Sequence, residues 1–241
     1  MKLKSILLAL IALSILTTSC VKNDDIKPSN NITTIEKTIS GYNQLNVSDP
    51  FTVFVTFSDT EEKIQIEANS NLQQYIVVEK QDNQLVISLK DNLNIEGSST
   101  LNVHITTKHL DTFLAEGAST IQLENELNES YVSIDLSGAC SFTGSLFADE
   151  IDVELDGASN INIAGNSMNM EVSASGASNM HDYGFETNNL KCDINGASNV
   201  YLTIQETMNV VASGGSTVYY KGNGVIVDQV LSGGSTIKKM D

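Results

Sequence analysis

The chain has 241 residues and is strongly acidic, with 30 Asp and Glu against 13 Lys, no Arg and a net charge of −17. So few cations cannot neutralise phosphates, which excludes nucleic acid as a partner. The absence of Arg also removes the usual bidentate clamp for a carboxylate or phosphate substrate.

The first twenty residues are typical of a sorting signal. Two Lys among the first four residues precede an apolar run, 6–16, that is too short to span a bilayer comfortably. Leu16–Cys20 places small residues before a lone cysteine, which resembles a bacterial lipobox. This likeness predicts cleavage of residues 1–19 as a signal peptide and lipidation of Cys20. The alternative is an ordinary signal peptide that happens to contain a cysteine.

Residues 20–35 include proline and many polar side chains, and we expect them to form a flexible tether. Val21 follows the lipidation site, and the lack of Asp there favours the outer membrane by analogy with well-studied lipoproteins. Lys22 with Asp24 and Asp25 resembles a surface-export tag of Bacteroidetes-type lipoproteins, and a solvated charged tether explains these residues equally well. Because the chain is acidic, acyl chains rather than charge would hold it at the membrane.

Residues 36–109 are rich in strand patterns but irregular. Leu85–Leu89 and Leu101–Ile105, for example, alternate apolar and polar side chains. We interpret this part either as the first coils of the stack described below or as a small β cap on it, since an open strand edge invites aggregation. At the other end, Lys238 and Lys239 follow the last repeat and are expected to blunt the terminal edge.

Residues 110–241 carry the strongest signal, seven near-copies of one tetrapeptide that begins Gly-Ala-Ser or Gly-Gly-Ser. Their glycines are spaced by 18 to 21 residues and are Gly117, Gly138, Gly157, Gly176, Gly196, Gly214 and Gly233. This period predicts a stack of equal units. The residues six, four and two before each glycine and four after it are almost all apolar, with polar residues between them. Such alternation predicts strands with one buried face.

One repeat cannot close a core alone, but coils stacked at the usual strand spacing of about 4.8 Å can. The glycine is expected to turn the chain, because it accepts backbone angles that other residues avoid. The Ser and the Asn or Thr that follow are expected to form ladders of like residues up the stack. Seven copies are more than a catalytic site needs, so a structural turn is favoured over a hydroxyl nucleophile.

Together with the lipobox and the strand-rich lead-in, these repeats resemble the head GIN domain family, also called "putative auto-transporter adhesins". The likeness covers residues 36–238 and includes the approach Leu110–Ser119. It implies an all-β, right-handed parallel β-helix in a single domain over 36–241, in a secreted or surface protein of a Bacteroidetes-like bacterium. The family supplies no catalytic motif. Cys140 replaces one corner serine, a small departure.

Two cysteines follow the lipidation site, Cys140 at a corner and Cys192 at an inward strand position three repeats later. Three coils separate them by about 14 Å, whereas a disulfide needs Cα atoms within about 7 Å. The register therefore predicts two free thiols and no cysteine-based zinc site.

Carboxylates form the most interesting cluster of the sequence. The register places Asp135 beside Glu154 and Asp152 beside Glu171 in adjacent coils. These side chains could splay into water, bind a divalent cation such as calcium, or serve as the acid and base of a β-helix glycosidase. The lack of Arg to hold an acidic sugar argues against the last hypothesis. No other metal or cofactor is predicted.

Tyrosines in the later repeats offer a second surface. Tyr201 and Tyr219 lie five residues after their glycines, at an outward position, whereas Tyr220 leans inward. Neighbouring exposed tyrosines suit a binding strip for sugar or protein, and ordinary surface aromatics are the alternative. The three histidines are scattered and no Ser-His-Asp set follows from the register.

These observations favour a lipid-anchored outer-membrane protein, with surface exposure left open, that binds a glycan or protein as an adhesin and is not an enzyme. The membrane is a partner only through the lipid anchor. One alternative is a β-helix polysaccharide lyase or hydrolase that uses outward carboxylates. The other is a structural envelope protein with no dedicated ligand.

Overall fold

The computed structural model describes residues 24–181 and 183–241, where nearly all regular structure is β-strand. The helical structure in these ranges is one short 3-10 turn, Gln73–Tyr75. No helix within them is long and apolar enough to cross a membrane. The predicted signal peptide and Cys20 lie outside the described residues.

Twenty strands are described. They are β1 (Asp24–Ile26), β2 (Ile32–Lys37), β3 (Gln44–Val47), β4 (Thr52–Phe57), β5 (Lys63–Asn69), β6 (Ile76–Gln81), β7 (Gln84–Leu89), β8 (Leu93–Ile95), β9 (Leu101–Thr107), β10 (Thr112–Ala115), β11 (Thr120–Leu123), β12 (Leu127–Leu136), β13 (Ser141–Leu155), β14 (Asn160–Ala174), β15 (Asn179–His181), β16 (Phe185–Ile194), β17 (Asn199–Ala212), β18 (Thr217–Lys221), β19 (Val225–Leu231) and β20 (Thr236–Lys239).

The repeats wind as a β-solenoid of about seven turns, with coils of about 19 residues. Successive coils pair in parallel, as where β14 runs beside β13 over its whole length. We call face 1 the sheet made by segments that precede the corner glycines, such as 151–155, and face 2 the sheet made by segments that follow them, such as 160–163. The stack of coils predicted from the repeat period is confirmed, as is the parallel β-helix that the family resemblance implies.

The corner glycines are needed for two reasons. Gly157 has a φ of +76°, in the left-handed region. A Cβ atom on this residue would lie 2.5 Å from the carbonyl oxygen of Gly138 in the coil below. The approach is close because the next residue, Ala158, donates its N–H to that same oxygen at 2.7 Å. Corners therefore stack through their backbones, which only glycine permits.

The residues after the corner glycine form the expected ladder of amides. Asn199 Nδ2 donates to Asn179 Oδ1 at 3.0 Å, and Asn179 Nδ2 to Asn160 Oδ1 at 3.4 Å. Five of the six corner serines point inward and are buried, and Ser235 of the last coil is half-buried. The hydroxyl of Ser119 lies 2.6 Å from the carbonyl oxygen of Asp49. Three other corner serines have a buried Oγ with no hydrogen-bond partner among the described residues: Ser159, Ser178 and Ser198.

The interior is filled by the apolar side chains that the alternation places inward. Its largest fully buried members are phenylalanines, among them Phe113 and Phe142, whose rings pack edge to face with centroids 5.2 Å apart. Cys140 and Cys192 are both free and buried, as the register predicts. Burial raises the pKa of the Cys192 thiol to about 12.

The irregular lead-in combines both predicted arrangements. Strands β3 and β4 run parallel to β10 and β11, and β7 and β9 add a further parallel coil outside them. Antiparallel strands then cover this end, because β6 pairs with β7 and β5 with β9. The chain thus begins its stack with coils and seals it with hairpin-like pairs.

The structure corrects the predicted flexible tether over 20–35 in its described part. β1 pairs in parallel with β8, and β2 runs antiparallel to β5 from Ile32 beside Asn69 to Lys37 beside Ile64. The physical reason is that β2 supplies hydrogen-bond partners to the outer edge of β5. The composition of residues 20–35 alone resembles that of a linker.

The last coil also departs from the repeat register. Met208 pairs with Ile226 and Asn209 with Asp228, so Val227 is an extra residue in a bulge and is 65% exposed. The expected inward position of Val227 is therefore wrong. Among the described residues β19 pairs with β17 alone, so inward positions of this strand are partly open to solvent.

Candidate functional site

Face 1 carries the predicted carboxylate pairs. Asp135 lies beside Glu154, and Asp152 beside Glu171, in adjacent parallel strands. All four side chains line one surface depression, together with Ser173. The register deduced from the corner glycines is confirmed at this site.

Neighbouring side chains already engage two of the four carboxylates. Lys191 reaches back one coil, so that its Nζ lies 2.6 Å from Glu171 Oε1. The hydroxyl of Tyr131 donates to Asp152 Oδ2 at 2.8 Å. Such contacts offset the repulsion that like charges on adjacent strands would otherwise produce.

Two aspartates at the corner end of this surface have opposite pKa shifts. Partial burial raises the pKa of Asp135, and the charge of Asp156 adds to the effect. The pKa of Asp156 itself is lowered, because its carboxylate accepts hydrogen bonds from the Ser175 hydroxyl and then from the backbone N–H of Gly157. Asp135 therefore ionises less readily than an ordinary aspartate, and the neighbouring Asp156 ionises more readily.

Calcium binding by these carboxylates finds no support in their spacing. Within residues 24–181 and 183–241, no group of three or more His, Cys, Asp or Glu side chains is arranged to hold a metal ion. Calcium takes about six to eight oxygen ligands, and a carboxylate pair from adjacent coils supplies far fewer. Calcium binding at Asp135, Asp152, Glu154 and Glu171 stays one of the alternatives that the sequence leaves open.

Face 2 carries an aromatic row at one outward position of successive coils. The rings of Tyr201 and Tyr219 stack with centroids 4.5 Å apart and planes 4° apart, and His181 stacks on Tyr201 at 6.1 Å. The Nζ of Lys238 lies 5.2 Å from the Tyr219 ring centroid. The predicted outward position of both tyrosines is confirmed, while Tyr220 is buried as expected.

Two further residues join this row. Tyr183 packs edge-on against Tyr201 with centroids 5.7 Å apart, and the Nζ of Lys221 lies 4.9 Å from the Tyr183 ring centroid. Burial raises the pKa of the Tyr183 and Tyr201 phenols, and the nearby Tyr219 adds to both shifts. The phenols are therefore protonated at neutral pH. We call the following residues the aromatic–lysine patch: His181, Tyr183, Tyr201, Tyr219, Lys221 and Lys238.

The sequence pattern did not identify His181, Tyr183 and the two lysines as members of this patch. A signal was present for the row, because His181 and Lys238, like the two stacked tyrosines, lie five residues after a corner glycine. Tyr183 and Lys221 lie seven residues after theirs, where no common side-chain type marks the position.

The same outward row begins with a second aromatic pair in the lead-in. Phe54 and His104 stack with ring centroids 4.7 Å apart and planes 10° apart. Phe54 pairs with Gln122 in the next coil. From Gln122 the same outward row passes through Thr143 and Asn162 to His181. His104 points outward and is exposed.

His109 forms a small polar cluster that the sequence did not reveal. Its Nδ1 lies 2.5 Å from Glu129 Oε1 and its Nε2 lies 3.4 Å from Asp111 Oδ2. Asp111 is in turn held by Asn43 Nδ2 at 2.7 Å, and the Thr112 hydroxyl donates to Asp111 Oδ1 at 2.8 Å. The cluster ties the lead-in to the first repeats, which is a structural role.

These features define a class of protein, an all-β parallel solenoid with a filled core and outward faces that carry side chains in rows. Residues 41–224 match the family described as "Putative auto-transporter adhesin, head GIN domain". The chain belongs to this family, as the sequence resemblance predicts. No curated protein shows significant similarity to it.

Solved structures share the fold. A "putative adhesin" of Bacteroides fragilis aligns with a TM-score of 0.80 at 21% identity, over 89% of this chain and 100% of that one. A "putative adhesin" of Parabacteroides distasonis gives 0.71 at 21% identity, over 90% and 100%. A "putative lipid binding protein" from the same organism gives 0.72 at 15% identity, again over 90% and 100%.

Proposed function

We propose that this chain is a lipid-anchored adhesin of the outer membrane that binds a ligand along its outward faces without catalysis. The family description and the adhesin-like relatives support a cell-surface or envelope role. The lipobox before Cys20 supports the anchor. A solenoid suits this role, because its stacked coils offer extended surfaces.

The aromatic–lysine patch is the observation that carries the binding proposal. It gathers four aromatic rings and two ammonium groups on face 2. Tyrosine phenols with apolar rings and polar tips are suited to ligand surfaces. The stacked faces of Tyr201 and Tyr219 are occupied by one another, so a ligand meets their edges and hydroxyls rather than their faces.

Charge points to an anionic glycan as the ligand. Strands β18 and β20 contain Lys221, Lys238 and Lys239 and no acidic residue, whereas the rest of the chain is strongly acidic. A carboxylated or sulfated sugar would pair its charge with these ammonium groups and its hydroxyls with the phenols. Repulsion from the acidic coils would confine such a ligand to the patch.

The test is a glycan array probed with the mature protein and read for both binding and product release. We expect binding to carboxylated or sulfated glycans, weakened at least tenfold by Lys221→Ala with Lys238→Ala and by raised salt. Lys108→Ala is the matched control, because that lysine pairs with Asp59 at 3.6 Å on an exposed surface outside the patch. Binding that survives the double substitution, or that is confined to proteins, would contradict an anionic-glycan ligand.

Product release from any glycan would contradict the non-catalytic proposal and support a hydrolase or lyase.

The lipid anchor has its own test, metabolic labelling with a fatty acid in a Gram-negative host. Cys20→Ser should remove the label and release the protein from the outer membrane. Protease digestion of intact cells then reports whether the solenoid faces the outside. Unchanged labelling of the variant would contradict lipidation at this cysteine.

A further inference from the structure

The two faces of the solenoid differ in charge, although the same repeats build both. Residues three and five after the corner glycines lie between the core positions of face 2, and none of these fourteen residues is acidic. The matching residues of face 1 lie three and five before the same glycines, and six of those fourteen are acidic: Asp135, Asp152, Glu154, Glu171, Asp193 and Asp228. Both faces stack neighbouring coils in the same way, so stacking alone does not explain why these positions of face 2 lack acidic side chains.

One row of face 2 runs from the lead-in to the aromatic–lysine patch. It begins at Phe54, reaches the patch at His181, and contains three polar residues in between: Gln122, Thr143 and Asn162. From Phe54 to Lys238 the row crosses seven strand spacings, which is about 34 Å at about 4.8 Å each. A pyranose unit in an extended chain is close to one strand spacing long. Such a chain, laid along the solenoid axis, therefore meets one coil per sugar.

The middle of this row offers polar groups that the fold does not use. Thr143 is half-buried and Asn162 is exposed, and neither side chain has a hydrogen-bond partner in the part of the chain that the structure describes. A hydroxyl and an amide can both donate and accept, which suits the hydroxyl groups of an uncharged sugar. At the far end, the stacked rings of Phe54 and His104 supply a second aromatic contact.

Charge separates two parts of a ligand on this face. The ammonium groups of the patch favour one anionic sugar there. Beyond the patch, residues 110–207 contain sixteen Asp and Glu and a single lysine, so their field disfavours further anionic groups. Uncharged sugars experience no such repulsion. At the row itself they also meet no carboxylate that would lose its hydration on contact.

We propose that face 2 binds a linear glycan parallel to the solenoid axis, with an anionic sugar in the aromatic–lysine patch and uncharged sugars along the row towards Phe54. The inference rests on the proposed function, because the patch holds the charged end of the ligand. At one sugar per strand spacing of about 4.8 Å, about five sugars reach from Lys238 to Asn162 and about eight reach Phe54. Affinity should therefore rise with chain length until the row is filled.

Calorimetric titration tests the proposal on the mature chain carrying Cys20→Ser, so that no acyl chain is present. The probes are β-1,4-linked gluco- and xylo-oligosaccharides of two, five, eight and twelve sugars, each ending in one glucuronic acid. We expect affinity to rise at least tenfold from two to eight sugars and to gain nothing more at twelve. Uncharged oligosaccharides of the same lengths should bind at least tenfold more weakly, because they lack the group that the lysines hold.

Substitutions in the middle of the row separate it from the patch. Thr143→Ala with Asn162→Ala should weaken the eight-sugar probe at least fivefold and leave the two-sugar probe unchanged, because a disaccharide in the patch does not reach Asn162. Ser173→Ala with Asn209→Ala is the matched control. It removes two polar side chains of face 1 that are also without a hydrogen-bond partner among the described residues. Both affinities should stay unchanged in this variant.

The outcomes distinguish this inference from the proposed function. Equal affinity for two and eight sugars, lost in Lys221→Ala with Lys238→Ala, would overturn the row and leave the patch as the glycan site. Equal losses in the face 1 and face 2 variants would also overturn the row. Binding of none of the probes would overturn the extended site, and the glycan array would then decide separately whether the patch binds an anionic glycan.

Discussion

At the scale of single residues, the corner glycines set the spacing of the whole stack. We predict that Gly157→Ala lowers the free energy of unfolding by at least about 2 kcal/mol. The reason is the left-handed φ of +76°, together with a Cβ that would lie 2.5 Å from the Gly138 carbonyl oxygen. Urea denaturation followed by circular dichroism measures the change.

Gly215→Ala is the matched control for this prediction. A Cβ on Gly215 would lie 3.8 Å from the Gly196 carbonyl oxygen, an ordinary contact, and earlier repeats carry alanine at the same position. Its unfolding free energy should stay within about 0.5 kcal/mol of the wild type. Equal losses in the two variants would show that the corner conformation is not what requires glycine.

The inward corner serines offer a second residue-scale prediction. Ser178→Ala should leave stability unchanged or raise it by up to about 1 kcal/mol, because its buried hydroxyl has no partner among the described residues. Ser119→Ala should lower stability by about 1 kcal/mol. Its hydroxyl lies 2.6 Å from the Asp49 carbonyl oxygen and 2.8 Å from that of Glu116. Thermal melting of both variants checks the difference, and a loss at Ser178 would mean that its hydroxyl is bonded.

The residue scale is also where sequence reasoning succeeds most fully. One glycine per coil fixes which residues are neighbours, so the pairing of Asp135 with Glu154 follows by counting. Counting fails at Val227, where a bulge inserts one residue. A bulge depends on how the last strand fits its only neighbour, and no residue type in β19 marks it.

At the scale of strands, the carboxylates of face 1 should affect stability in opposite directions. Asp135 has a raised pKa, so its ionisation costs stability as pH rises through that value. We predict that Asp135→Asn raises the unfolding free energy at pH 7 by roughly 0.2–1 kcal/mol, the scale of like-charge pairs on a sheet. The gain should vanish at acidic pH, where the native carboxyl is protonated. Urea titrations at pH 7 and pH 3.5 measure both parts.

Asp156→Asn is the contrasting variant. The pKa of Asp156 is lowered by its hydrogen bonds, so the carboxylate contributes stability above its unfolded pKa, and this contribution is lost as pH falls through the folded value. The substitution should therefore destabilise at pH 7 and matter little in acid. A loss at both positions would contradict the opposite pKa shifts.

Strand existence was easier to predict than strand direction. The alternation of apolar and polar residues located β7 and β9, but the pattern is the same for parallel and antiparallel pairing. The antiparallel pairing of β5 with β9 and of β2 with β5 was therefore out of reach. Only part of the aromatic–lysine patch could be predicted from the sequence, for a related reason. Its row repeats with the glycines, whereas Tyr183 and Lys221 join it only through the reach of their side chains.

At the scale of the whole molecule, the acidic coils dominate the electrostatics. Sixteen carboxylic residues lie within 110–207, so folding brings like charges together along the stack. Added salt screens such repulsion over about 10 Å at 0.1 M ionic strength. A reduction of about 1 kcal/mol in this repulsion would raise the melting temperature of a chain of this size by roughly 2–4 °C. We predict a rise of that order between 20 and 500 mM NaCl.

Calcium separates general screening from a specific site. CaCl2 and NaCl at equal ionic strength should raise the melting temperature equally, because no described group of three ligands is arranged to hold a metal ion. A bound ion would instead add a shift that grows with calcium concentration above its dissociation constant. Asp135→Asn with Glu154→Gln supplies the control, since it removes two of many charges and should retain most of the salt response. A calcium shift that exceeds the NaCl shift and disappears in this double variant would establish a cation site on face 1.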